Sequence, residues 1–269
     1  MTDVFETKIT CSIKELPALE AMFEDVTTTT AYKLLPKFKI EFSAFTREKP
    51  KLPKGYDFTI KKLEKKNWLK ESLVSFKPLQ VGSFYVYGSH IKKDPPKKWI
   101  GIKVDAATAF GSGEHGTTQG CLMALSERQD GKNILDVGTG TGILAIGAKK
   151  LFPKANVTAS DIDPESVRVG KQNAKENDVK MTCVLSDGIK HKSLDKKDHF
   201  DIVLANILAR PLIEMAPDLY SVTQKGGTVI VSGLLVRQKK WVKDAFKEVG
   251  FKFQKAYDVK PWSTLMFKK

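Results

Sequence analysis

The chain has 269 residues, a length that favours one larger domain accompanied by a small accessory one. Hydrophobic residues make up 41% of it, as in an ordinary soluble globular protein, and we expect neither a signal peptide nor a membrane-spanning helix. The formal charge of +14 comes almost entirely from lysine. The lysines either form a surface for an RNA-bearing partner or simply keep the protein soluble. The second is favoured because the lysines are scattered along the whole chain.

The three cysteines, Cys11, Cys121 and Cys183, are odd in number and far apart. This pattern excludes a disulfide framework and offers no CxxC spacing for a metal ion. We therefore expect a cytoplasmic protein without a metal site.

The first hundred residues predict a small α+β domain followed by a connector. Strands are expected at 4–13, 26–35 and 37–45, with a helix at 14–23 between the first two. The lysine-rich stretch 60–73 favours a helix, and Pro95 and Pro96 mark the end of the connecting segment. The predicted boundaries are 1–60 for the small domain and 61–98 for a partly helical connector.

The remainder, 99–269, alternates between apolar strands and helices. The predicted strands are 99–104, 133–137, 156–160, 180–185, 200–205, 228–232, 251–258 and 263–267, and the predicted helices are one starting near 118, then 142–151, 164–177, 211–222 and 237–249. Such alternation is typical of a doubly wound α/β sheet with helices on both faces. The last two strands have no helix between them, which predicts one antiparallel edge strand.

A glycine-rich loop, Asp136-Val-Gly138-Thr-Gly140-Thr-Gly142, follows a buried strand and opens a helix. Glycines at alternate positions let the main chain turn sharply and approach a ligand closely. The loop suits either NAD or S-adenosylmethionine, with Ala145 a substitute for the third glycine of the dinucleotide pattern. The GxGxG spacing, and Asp136 placed to accept from a ligand ammonium, favour S-adenosylmethionine, with Gly138 and Gly140 against the cofactor.

Two further acidic residues follow the next strands. Asp161 ends the second strand, where an acid is expected to accept from ribose hydroxyls, whereas Asp163 precedes Pro164 and is better explained as a helix cap. Asp187, in Ser186-Asp187-Gly188, is placed to reach the adenine amino group or to serve as a simple turn residue.

Asn206 ends the fourth strand, and the carboxyl ends of such strands line the ligand crevice. Its carboxamide suits a neutral amine nucleophile, although asparagine is also a common turn former. The glycine-rich segment 109–118, which contains Phe110, His115 and Thr118, is expected to fold over the cofactor, with Phe110 contacting it. His115 has no second histidine at ligand spacing, so a structural role is favoured.

Together these residues resemble the bacterial PrmA family, which methylates large-subunit ribosomal protein eleven. The similarity spans 68–262 and lies in Trp-Leu-Lys at 68–70, Phe-Lys-Pro-Leu-Gln-Val-Gly at 76–82, Ala-Phe-Gly-Ser-Gly-Glu-His-Gly-Thr-Thr at 109–118, Asp-Val-Gly-Thr-Gly-Thr-Gly-Ile-Leu-Ala at 136–145, Asp-Ile-Asp-Pro at 161–164, Ala-Asn-Ile-Leu-Ala at 205–209 and Ser-Gly-Leu-Leu at 232–235. At 116 the family usually has proline where this chain has glycine.

The resemblance implies a seven-stranded methyltransferase domain at 99–269, with the amino-terminal domain recruiting the ribosomal substrate. It further implies that Thr118, Gly138, Asp161 and Asn206 bind S-adenosylmethionine or frame the amine. The expected activity is methyl transfer to lysine or N-terminal amines of a ribosomal protein, with any nucleic-acid contact secondary.

Two alternatives are weaker. An adenine or glutamine methyltransferase typically carries Asn-Pro-Pro-Tyr at this strand end, where Ile207 and Leu208 stand here. A noncatalytic ribosome-assembly factor has no need to retain the glycine loop, Asp161 and Asn206 together.

Overall fold

The computed structural model describes residues 4–23, 27–36, 39–46, 48–50, 55–63, 78–104, 113 and 115–269. The chain forms two compact units, 1–74 and 75–269. Among the described residues, no helix is long and apolar enough to cross a membrane.

Where the structure describes it, the first unit is a four-stranded antiparallel sheet with one α-helix. Its elements are β1 (Val4–Ser12), α1 (Leu16–Phe23), β2 (Thr27–Leu35), β3 (Lys39–Thr46) and β4 (Asp57–Leu63), and the strand order is β2-β3-β1-β4. Residues of β3 alternate between buried and partly exposed positions, so one face of the sheet packs against α1. Phe23 and Phe42 meet in this core, with ring centroids 5.7 Å apart.

The three strands and the helix predicted for this unit are confirmed, and β4 was not predicted. The expected helix at 60–73 is wrong for residues 60–63, which pair with β1 in the register Thr7↔Ile60. Pairing with β1 outweighs the helical tendency of the lysines, because intrinsic propensity is a weak preference that tertiary context overrides. Residues 64–73 lie outside the described part of the chain.

The second unit begins with a small sheet of β5 (Leu79–Val81), β6 (Phe84–Tyr87) and β7 (Ile100–Lys103). Phe84 and Val86 are fully buried in the same apolar cluster as Leu122 and Ile146. Part of the predicted connector therefore packs into the core of the larger unit. Asn177 reaches β7 from a neighbouring helix, where its side-chain oxygen accepts from the Lys103 N–H at 2.8 Å and its nitrogen donates to the Lys103 carbonyl at 2.6 Å.

The large sheet has seven strands in the order β10-β9-β8-β11-β12-β14-β13. They are β8 (Asn133–Val137), β9 (Asn156–Asp161), β10 (Thr182–Leu185), β11 (Phe200–Asn206), β12 (Thr223–Leu235), β13 (Lys252–Val259) and β14 (Trp262–Lys268). The first five strands in this order are parallel, and β14 is antiparallel to both neighbours at the far end. The predicted mostly parallel seven-stranded sheet is confirmed.

In the described part of this unit, five helices cover the sheet: α2 (Gly116–Ser126), α3 (Ile143–Leu151), α4 (Pro164–Glu176), α5 (Ala209–Val222) and α6 (Lys239–Glu248). Residues of α2, α3 and α4 share one apolar cluster, and residues of α5 and α6 share another. Successive residues of β8 alternate between them, Ile134 facing the first cluster and Leu135 the second. The doubly wound arrangement is confirmed, and the carboxyl ends of β8, β9, β11 and β12 lie at a common edge.

Candidate active site at the carboxyl edge of the sheet

The glycine loop after β8 is held by the buried carboxylate of Asp136. Its Oδ2 accepts a hydrogen bond from Thr139 Oγ1 at 2.6 Å and another from the Ala145 N–H at 3.2 Å. The second bond satisfies an N–H in the first turn of α3, whose N-cap, Gly142, has no side chain. Asp136 therefore anchors the loop to the helix, a role that the sequence did not reveal.

Asp136 is fully buried, and burial raises its pKa to about 7. Its second oxygen, Oδ1, has no hydrogen-bond partner among the described residues. Oδ2 already accepts hydrogen bonds from the loop and the helix, so the predicted hydrogen bond from a ligand would have to be made to Oδ1.

Asp161, at the end of β9, lies against the same loop. Its Oδ2 accepts from the Gly140 N–H at 2.8 Å, and its Oδ1 accepts from the Asp163 N–H at 3.0 Å. Asp163 in turn accepts from the N–H groups of Glu165 and Ser166, so its prediction as the cap of α4 is confirmed. Two aspartates from adjacent strands therefore hold the loop between them.

Asn206 ends β11 and faces α2. Its Nδ2 donates to Thr118 Oγ1 over 3.5 Å, a long bond that orients the carboxamide. Thr118 is fully buried, and Asn206 Oδ1 is a buried acceptor without a partner in the described part of the chain. An unpaired buried acceptor is costly, and a binding or catalytic role is one of the explanations for such an atom.

A sequence profile described as "Ribosomal protein L11 methyltransferase (PrmA)" matches residues 3–269. This chain belongs to the PrmA family.

Individual members of the family show the same relationship. The chain is 41% identical over 206 residues to the ribosomal protein L11 methyltransferase of Caulobacter sp. (strain K31), covering 76% of this chain and 71% of that protein. It is 35% identical over 249 residues to that of Rhizobium meliloti (strain 1021), covering 91% and 81%. A crystal structure of ribosomal protein L11 methylase from Lactobacillus delbrueckii subsp. bulgaricus superposes with a TM-score of 0.64 at 29% identity, covering 71% of this chain and 98% of that one.

Gly116 begins α2 at a close approach to the point where β13 ends and β14 begins. A β-carbon on Gly116 would lie 2.8 Å from the Val259 carbonyl oxygen and 3.0 Å from Cδ1 of Trp262. The neighbouring His115 packs its ring 4.5 Å from that of Trp262 and shares a 2.8 Å hydrogen bond between Nδ1 and Thr117 Oγ1. Burial lowers the His115 pKa, so the imidazole is neutral and packed at neutral pH.

Of the remaining candidates in this PrmA member, the structure describes Asp187, Gly138 and Gly140 but not Phe110. Asp187 lies on the turn after β10, where it is exposed and ion-paired with Lys190. This arrangement suits the turn interpretation and leaves the carboxylate accessible. Phe110 lies outside the described residues, together with 109, 111, 112 and 114 of the same segment. Gly138 and Gly140 both adopt positive φ in the loop.

Sequence reasoning missed Asn173, which supports the loop from behind. It is buried on α4, and its Nδ2 donates to the Thr141 carbonyl at 2.8 Å. The one signal in the sequence was a polar residue on the apolar face of an amphipathic helix.

We expect Asp136→Asn to change how stability depends on pH. Because the folded-state pKa of about 7 lies above the ordinary value of 3.8, the folded protein binds more protons than the unfolded chain between those values, and the free energy of unfolding falls as pH rises through that window. Asparagine has no such titration. The stability of Asp136→Asn relative to the parent should therefore increase by roughly 2 to 3 kcal/mol between pH 5 and pH 7.

Urea unfolding of both proteins at pH 5, 6, 7 and 8 measures this difference, and titrations common to both proteins cancel. A difference that stays constant from pH 5 to pH 8 would show that Asp136 does not titrate in this range.

Proposed function

We propose that this chain transfers methyl groups from S-adenosylmethionine to lysine or N-terminal amines of ribosomal protein L11. The observation that carries the proposal is Asn206 Oδ1, a buried acceptor without a described partner at the carboxyl edge of the sheet. Membership of the PrmA family and the names of its members support the substrate.

The residues at this edge fit the proposed cofactor. In this proposal the glycine loop offers its main chain at Gly138 and Gly140, Oδ1 of Asp136 accepts from the ammonium, and Asp161 accepts from the ribose hydroxyls. A carboxylate oxygen accepts more than one hydrogen bond, so the bond from Gly140 leaves Asp161 able to accept others. Thr118, Asp187 and Phe110 complete the proposed set. When bound, S-adenosylmethionine supplies an electrophilic methyl group on a sulfonium.

Asn206 aligns the amine in this proposal. Thr118 holds the carboxamide by Nδ2, so Oδ1 accepts an N–H of the incoming amine and directs its lone pair along the axis of displacement. A neutral acceptor suits this task, since a carboxylate would favour the protonated ammonium.

Deprotonation of the amine is the main energetic obstacle for a lysine substrate. At a pKa of about 10.4 only about one lysine in a thousand is neutral near pH 7, a cost of roughly 4 kcal/mol. Desolvation in the buried edge beside Asn206 lowers that pKa and recovers part of the cost. We infer that the proton leaves to water before the amine docks.

We propose that the amino-terminal unit recruits the substrate. It builds its own core around Phe23 and Phe42, and every cofactor motif lies after residue 109. The structure divides the chain into two units, 1–74 and 75–269. The predicted domain boundaries, after residues 60 and 98, remain proposals. Action on a ribosomal protein is consistent with a cytoplasmic location and with a secondary contact to nucleic acid.

Labelled S-adenosylmethionine tests the proposed reaction against its rivals. Incubated with ribosomal subunits and the full chain, it should label ribosomal protein L11 on lysine or the N-terminal amine, as located by mass spectrometry. Label in RNA or on glutamine would instead support the other methyltransferases, and no label in any fraction would support the assembly factor.

Asp161→Ala should weaken cofactor binding. Loss of hydrogen bonds to a charged acceptor costs roughly 1.5 to 3 kcal/mol each, which corresponds to at least about a tenfold rise in Kd. Calorimetric titration of S-adenosylmethionine measures the change. Asp195→Ala is the control because it removes the same charge from an exposed position. Equal dissociation constants for the two folded variants would remove Asp161 from the cofactor site.

Asn206→Ala should slow methyl transfer by at least about a hundredfold while changing cofactor affinity much less, because alignment is lost and the loop stays in place. Single-turnover transfer to purified ribosomal protein L11 at saturating cofactor measures the rate. Asn206→Asp keeps the shape but adds a charge that holds the amine protonated, so its rate should also fall and should recover as pH rises. A parental rate in Asn206→Ala would leave Asn206 as a strand terminator only.

A further inference from the structure

Ile207, the residue after Asn206, lies between two glycines. A β-carbon on Gly233 would overlap the Ile207 carbonyl oxygen and lie 2.6 Å from its carbonyl carbon. A β-carbon on Gly138 would overlap Cγ2 of Ile207. The main chain of Ile207 is therefore in contact with β12, and its side chain is in contact with the glycine loop.

A β-bulge brings Gly233 to this position. In the pairing of β12 with β14, Val231 is opposite Leu265 and Leu234 is opposite Ser263, so β12 has one residue more than β14 between these pairs. Gly233 has φ +90°, a backbone conformation that residues other than glycine rarely adopt. The preceding residue, Ser232, still pairs with Asn206 as the last pair between β11 and β12.

We propose that Gly233 is a positioning residue for methyl transfer. Its close approach to the main chain of Ile207 fixes the backbone of the residue that follows Asn206, and this backbone sets the direction of the Asn206 carboxamide toward Thr118 and the amine. The contact of Ile207 Cγ2 with Gly138 keeps the same residue in register with the glycine loop. The inference rests on the proposed role of Asn206.

Gly226 provides a matched control on the same strand. It has φ +76°, and nothing lies within 4 Å of a β-carbon built there. Alanine at either glycine therefore introduces similar backbone strain, and only Gly233→Ala overlaps the Ile207 peptide. The difference between the two variants isolates the contact from the strain.

We expect Gly233→Ala to lower kcat at least tenfold relative to Gly226→Ala, with the cofactor Kd and the KM for ribosomal protein L11 within about threefold of the control. A purely structural role would instead give two variants with equal kcat, or a loss shared between kcat, KM and Kd. Either result would overturn the inference.

A double-mutant cycle tests whether Gly233 acts through Asn206. In an Asn206→Ala background, Gly233→Ala should reduce kcat by less than about twofold further, because there is no carboxamide left to misplace. If the losses in kcat of the two single variants multiply in the double variant, the inference is wrong, even when Asn206→Ala by itself is slow. A fast Asn206→Ala variant would instead refute the proposed role of Asn206, and absence of label on ribosomal protein L11 would refute the proposed function, so these failures are distinguishable.

A second pair of variants covers the case in which Gly233→Ala does not fold. Ile207→Val keeps both branches at the β-carbon, including the methyl that meets Gly138, whereas Ile207→Leu has no branch there. Leucine should therefore lower kcat more than valine, although valine removes more volume. The opposite order, with the larger loss for valine, would overturn the inference.

Discussion

The carboxylate of Asp136, buried beneath the glycine loop, joins the end of β8 to the start of α3 through hydrogen bonds from Thr139 and Ala145. Two hydrogen bonds to a charged group contribute roughly 3 to 6 kcal/mol together, and removing a carboxylate from water costs several kcal/mol. Because burial raises the Asp136 pKa, desolvation of the charged form outweighs these hydrogen bonds. Asp136 therefore fixes where the loop lies more than it stabilises the fold, and the remaining contacts of this edge are arranged around that position.

The glycine loop is held on three sides by groups from different elements. Asp136 holds it from β8, Asp161 accepts the Gly140 N–H from β9, and Asn173 donates to the Thr141 carbonyl from α4. Asn206 lies on the next strand, β11, and reaches Thr118 of α2. Because β8 lies between β9 and β11, both parts of the proposed site depend on the same strand spacing. Rigid elements of this kind hold a site more accurately than free loops do.

The alternating strands and helices after residue 133 were predictable because their signals are local. Apolar runs, the Asp163 cap and the glycine loop each depend on residues close in sequence. Asp161 and Asn206 were recognised as candidates because each ends a strand, and the structure places both at the carboxyl edge.

The features that were missed depend on partners far away in sequence. β4 exists because β1 is available to pair with it, and Asn173 matters because the Thr141 carbonyl faces it. Asp136 was expected to accept from a ligand, and its residue type alone does not distinguish a ligand acceptor from a helix anchor. The bulge at Gly233 depends on the register of β14, which no local pattern in the sequence specifies.

Asn177 has a consequence for association between molecules. β7 is at one end of its three-stranded sheet, and an edge strand can add a strand from another molecule through its unpaired N–H and carbonyl groups. At Lys103 the Asn177 carboxamide already bonds both groups, as a paired strand would. The side chain at the carboxyl end of α4 thus occupies the groups through which a second copy of the chain would add a strand at this point.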